Sequence, residues 1–120
     1  MDAQLKAIAR HKINTMSDPH VQNLVRVIFA EAIHSPHLIA QALEQYQQSE
    51  QALDSWIKAA IADGRLREVD PHYAAEQLMG LIKGSAFWPQ LIMGRPIPDS
   101  EQSEQIIEDS VAMFLNYYSA

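Results

Sequence analysis

The sequence predicts an all-α domain, a bundle of five to six helices. Three observations carry that prediction. Apolar residues recur at steps of three, four and seven, the spacing of one face of a helix. No run of four or more residues shows the strict alternation and β-branched enrichment of a half-buried strand. Asp-Pro at 18–19 and 70–71 and Ser-Pro at 35–36 pair a helix N-cap with a residue suited to the first helical position.

The first helix reads from about Asp2 to Thr15, with Leu5, Ile8, Ala9, Ile13 and Met16 as its apolar stripe. Asp18 and Pro19 start the second, which runs to about His34. Val21, Leu24, Val25, Ile28 and Ala32 form one face of it, and Val27, Phe29 and Ile33 widen that face. Such width predicts cover on more than one side. "HSPH" breaks the chain at 34–37. Ile39, Leu43, Tyr46, Leu53, Trp56, Ile57, Ala60 and Ile61 then follow at helical steps, interrupted by the polar "QQSEQ" at 47–51. One long helix and two shorter ones both fit residues 36–63.

Gly64 ends this segment as a left-handed terminator. Asp70 and Pro71 start the next helix, with Ala74, Ala75, Leu78, Leu81 and Ile82 on one side. Gly80 and Gly84 lie one turn apart in its interior. Each costs about 1 kcal/mol relative to alanine, so close approach of a helix or a ligand is expected there. Their spacing matches a membrane-helix packing motif, but Lys83 intervenes and the helix is too polar for lipid. Pro89 should kink or end the helix near Trp88. After "MGRPIPDS", Asp99 and Gln102 form a capping-box pair. The last helix runs from Ser100 to about Tyr118. Ile107, Val111, Phe114, Leu115 and Tyr118 make its inner stripe, with Ile106, Met113 and Tyr117 alongside. A face this wide suggests contact with a second subunit.

The 120 residues suit one domain, 1–120, with a core of its own. A hydrophobic share of 48% is too high for a disordered chain. With no cysteine, a disulfide scaffold and a thiolate metal site are excluded, which fits the reducing cytoplasm. A net charge of −6 repels nucleic-acid phosphate. The small basic cluster of Lys6, Arg10 and Lys12 reads as a solvated helix face. No stretch approaches the roughly 18 apolar residues of a membrane span, and no secretion signal leads the chain.

For catalysis the inventory is negative: no phosphate loop, no GxSxG and no dinucleotide fingerprint. His34 and His37 flank Pro36, which breaks their register, and no HExxH or suitably spaced carboxylate accompanies them. No metal and no cofactor are expected. His11, His20 and His72 read as surface histidines.

"VIFAEAIHSPHL" (27–38), "AAIADGRLREVDPHYAAEQLMGLIKG" (59–84), "FWPQLIMGRP" (87–96) and "VAMFLNYY" (111–118) appear in an order and spacing that resemble the C-terminal domain of TetR-family transcriptional regulators. The resemblance covers almost the whole chain. It implies a homodimer formed through the last two helices, and a small, largely apolar effector held among the second, third and fourth helices. Carried onto this sequence, the effector side would use Phe29, Tyr46, Trp56, Met79, Phe87 and Trp88. Glu31 and His34 are candidates to orient a polar group, and surface exposure is the competing reading of both. The dimer interface would draw on Leu78, Ile82, Ile107, Val111, Phe114, Leu115 and Tyr118. The family's N-terminal helix-turn-helix module has no counterpart here, so DNA contact is implied only for a parent protein carrying one. An alternative is a stand-alone interaction module that heterodimerises with a full-length regulator.

Overall fold

The computed structural model describes residues 2–37, 40–41 and 51–120. Within them the helices are α1 (Asp2–Met16), α2 (Pro19–Ala32), α3 (Gln51–Ala62), α4 (Pro71–Ala86), α5 (Trp88–Met93) and α6 (Ser100–Tyr118). Tyr46 and the choice between one or two helices over 36–63 lie outside the described residues.

The helix starts follow from local chemistry. The Asp18 carboxylate accepts from the His20 backbone N–H at 2.9 Å, and Asp70 accepts from His72 N–H at 3.1 Å. Proline follows each cap, where its missing N–H costs nothing. Asp99 and Gln102 complete the capping box, with bonds of 2.8 and 3.1 Å. Gly64 takes φ +75°, which lets Arg65 N–H return to Ala60 O at 2.9 Å and closes α3. Phe87 breaks the helical line ahead of Pro89, so α4 ends at Ala86 and the short α5 begins.

α4 is the hub and packs against α1, α3, α5 and α6, while α1 also lies along α6. Leu5, Ala9 and Ile13 of α1 meet Leu53 and Ile57 of α3, Leu78 and Ile82 of α4 and Ile107, Val111 and Phe114 of α6 in one core. Burying each large aliphatic side chain contributes about 1.5–3 kcal/mol. Arg10 of α1 adds a bidentate pair with Glu104 of α6, at 2.7 and 3.0 Å.

The turn after α3 also anchors the C-terminus. Arg67 N–H donates to Tyr118 O at 2.9 Å, and Ala120 N–H donates to Arg65 O at 3.1 Å. Leu66 and Ser119 thus form an isolated antiparallel bridge, and Leu66 is buried. The Arg67 guanidinium lies 3.9 Å from the Tyr117 ring centroid, a cation–π contact.

Two expectations are corrected. The second helix is not covered on several sides: Leu24 is 60% exposed and Ile33 80%, and among described residues only Gln22 and Ala32 of α2 are buried. Gly80 and Gly84 are not packed closely within the subunit, because a methyl group added to either meets nothing within 4 Å. Both lie on the exposed side of α4.

Candidate functional site

Two surfaces of this bundle carry apolar side chains that the core does not consume. The first is an aromatic elbow between α2 and α5. The Phe29 ring stacks on Trp88, with centroids 6.0 Å apart and planes 28° apart, and Phe87 meets Trp88 edge-to-face with centroids 4.9 Å apart. Arg26 fixes the same two helices. It donates from Nε to Leu91 O at 3.2 Å and from Nη2 to Gln90 O at 3.0 Å. Those carbonyls belong to the last turn of α5, which has no helical partners for them. A single side chain therefore caps α5 and ties α2 to it.

Of the aromatic and flexible candidates, Phe29, Phe87 and Trp88 come together here. Phe87 is buried, while Phe29 and Trp88 are each more than a third exposed. Met79 is buried on α4, within the core. Trp56 is engaged elsewhere: its indole N–H donates to Gln4 Oε1 of α1 at 3.1 Å. Glu31 and His34 are exposed near the end of α2.

The second surface is the outer side of α4 and α6. Met113 is 52% exposed and Tyr117 64%, and Tyr73 and Leu81 are open beside them. Two grooves run along this side. One, of about 600 Å³, is lined by Leu81, Ser85, Gln90, Arg95, Ile106 and Met113 among others. The other, of about 430 Å³, lies over Gln77, Gly80, Leu81, Met113 and Tyr117. Neither is lined by the aromatic candidates.

The interface candidates lie along the inner edge of this second surface. Leu78, Ile82, Ile107, Val111, Phe114 and Tyr118 are buried inside the subunit, and Leu115 is partly buried against the same core. Phe114 and Tyr118 still line the smaller groove, beside Met113 and Tyr117. The open residues of these helices are Tyr73, Leu81, Met113 and Tyr117.

Sequence reasoning missed two polar arrangements. His72 bridges α3 and α4, with Nδ1 3.4 Å from Asp54 Oδ2 and Nε2 3.0 Å from Glu76 Oε1. The partners sit on opposite ring nitrogens, so they do not converge on one point as metal ligands would. The other is Lys83, a lysine buried on α4 and only 8% exposed. Its spacing from Met79 and Phe87 was the available signal: four residues either way, on one helical face.

The described residues form a helical bundle with an aromatic elbow between α2 and α5 and an open apolar surface along α4 and α6. The comparisons identify its class. The model of the AefR-like transcriptional repressor C-terminal domain matches residues 3–120, and the chain belongs to this family of TetR C-terminal domains. A TetR family transcriptional regulator from Pseudomonas syringae pv. tomato str. DC3000 superposes with a TM-score of 0.88 at 33% identity, over 99% of this chain and 62% of that one. A protein assigned to the TetR family of transcriptional regulators, from Mesorhizobium loti MAFF303099, shares the fold with a TM-score of 0.91 at 24% identity. That match covers 100% of this chain and 60% of the other. The chain thus spans about three-fifths of the length of these solved regulators. The comparison with curated proteins gives no match. Membership places the chain among the C-terminal domains of transcriptional regulators. Among the described helices, none is long and apolar enough to cross a membrane.

Proposed function

We propose that the chain is the effector-binding and dimerisation domain of a TetR-like regulator. It senses a small, largely apolar molecule and couples that binding to operator affinity in a parent protein that carries the DNA-reading module. The observation that carries the reading is the α2–α5 elbow, where Phe29 and Trp88 stack yet remain partly open. Aromatic faces give a small apolar ligand large contact area, and a helix with little cover can move when the ligand arrives. Arg26 would carry that movement from α2 to α5, which follows directly on α4.

Two copies pair through the outer side of α4 and α6, burying Tyr73, Leu81, Met113 and Tyr117 about a two-fold axis. The exposed glycines Gly80 and Gly84 let a partner helix come close. A ligand that prefers one helix arrangement by about 1–3 kcal/mol would change operator affinity about 5- to 150-fold. The acidic charge keeps the domain itself off DNA, and its compartment is the cytoplasm.

The test is a panel of small aromatic and aliphatic compounds titrated against Trp88 emission, with Trp56→Phe removing the second tryptophan. A hit should shift the emission and raise Tm, and Phe29→Ala should weaken it at least tenfold. A panel in which no compound shifts the emission or the Tm contradicts the effector role.

A further inference from the structure

Gln90 of α5 makes contacts on two sides of its helix. On the α2 side its backbone carbonyl accepts from Arg26 Nη2 at 3.0 Å. Arg26 is itself set in place by Asn23, whose Oδ1 accepts from Nη1 at 3.1 Å. The Gln90 side chain, only 4% exposed, donates from Nε2 to Ser85 O at 3.2 Å and to Pro96 O at 3.4 Å. One carbonyl belongs to the last turn of α4, the other to the connection between α5 and α6, which opens on Gly94 at φ +68°. Ser85, Gln90 and Pro96 all line the groove of about 600 Å³ that Leu81 and Met113 also line. Arg26 and Phe29 do not line it.

The Gln90 side chain is not explained by stability alone. A carbonyl only accepts, so both bonds need the Nε2 end of the amide, and its orientation is fixed. Oε1 is thereby left buried with no partner among the described residues. An unmade buried acceptor costs stability, and an apolar side chain of the same length would fill the place without that cost. Resting on the proposed dimer, we infer that Gln90 is the positioning residue that couples α2 to it. Displacement of α2 moves α5 through Arg26. The Gln90 amide carries the shift to Ser85 and Pro96 and so to the wall of the groove beside the second subunit. Leu81, a dimer contact, lies one turn from Ser85 on α4. Such coupling runs both ways: an α2 held in place favours pairing, and pairing holds α2 in place.

The test compares dimer dissociation constants by sedimentation equilibrium for the 120-residue domain, Arg26→Met, Gln90→Met and the double variant, with folding checked by circular dichroism. Gly64→Ala, which strains a turn outside this set of contacts, controls for lost stability. Each single variant should weaken pairing about fivefold or more. The double variant should weaken it no further than the more affected single, because α2 reaches the groove through the amide. Gly64→Ala should leave the constant unchanged. In hydrogen exchange, α2 should be faster in folded, monomeric Met113→Glu than in the parent dimer, and the difference should vanish when both carry Gln90→Met. A parent dimer whose constant is untouched by Arg26→Met or by Gln90→Met, or in which the two effects multiply, overturns the coupling and leaves the dimer standing. An equal loss of pairing in Gly64→Ala overturns the coupling as well, since pairing would then simply follow stability. A parent that is monomeric at every concentration overturns the dimer and this inference together.

Discussion

Phe29 of α2 stacks on Trp88 of α5, with ring centroids 6.0 Å apart. The contact joins two helices that the chain makes far apart in sequence, and Arg26 reinforces it by bonding to the carbonyls of Gln90 and Leu91. Among the described residues, α2 is held to α5 by this ring pair and this cation, while Leu24 and Val27 of α2 are exposed. It should be the most easily displaced helix among the described residues.

Arg26→Met should therefore loosen α2 without unfolding the bundle. The last turn of α5 loses its capping donors, worth about 1–3 kcal/mol for hydrogen bonds from a charged group. Hydrogen exchange should speed up in α2 and α5 and change little in α1 and α6. Uniformly faster exchange across all helices contradicts this division.

The glycines should split by conformation. Gly64→Ala places a side chain at φ +75° and should cost about 1–2 kcal/mol in urea unfolding. Gly80→Ala meets nothing inside the subunit, so helix propensity should stabilise the isolated fold by about 0.5–1 kcal/mol. The same change should weaken a dimer whose partner helix approaches Gly80. A Gly80→Ala protein with unchanged self-association shows that no helix comes close there.

His72 should make stability depend on pH. Its hydrogen bond to Asp54 raises its pKa above 6.5, partial burial opposes the rise, and the charges of Glu76, Asp54 and Asp70 add to it. A neutral imidazole has one N–H, whereas the imidazolium has one for each carboxylate. A folded pKa above the unfolded value means the contribution is fully present below about 6.5 and fades as pH rises through the folded value. The difference in Tm between the parent and His72→Ala should shrink from about pH 5.5 to about pH 8.5. A constant difference excludes the doubly donating form.

Two substitutions on neighbouring residues of α6 should behave oppositely. Phe114 is buried in the core, so Phe114→Glu places an unpaired charge there and should unfold the domain, costing several kcal/mol. Met113 points outward, so Met113→Glu should leave the fold intact and act on association alone. Circular dichroism separates the two outcomes, and a folded Phe114→Glu monomer contradicts this reading of the core.

Most of the fold was legible because helix starts and stops are local. Asp18, Asp70 and Asp99 cap within two or three residues of themselves, and Gly64 acts on the turn it ends. The core stripe of α6 was legible from periodicity. Periodicity says which residues share a face, but not whether that face meets the subunit's own core or a partner. For that reason Ile107 and Phe114, expected at an interface, lie buried on the same helix on which Met113 and Tyr117 lie open. Contacts between distant segments, such as Phe29 with Trp88, Arg26 with Gln90 and Leu66 with Ser119, leave no local trace. Lys83 was visible as a break in an apolar stripe, but its burial depends on α1 lying across it.

The central claim is a regulatory dimer built on the outer side of α4 and α6. Light scattering behind a sizing column tests it most directly, over a range of concentrations. The account predicts a mass near twice the 13.5 kDa subunit, falling to the subunit mass in folded Leu81→Glu and Met113→Glu proteins. A monomer at every concentration, or a dimer that survives both substitutions, contradicts it.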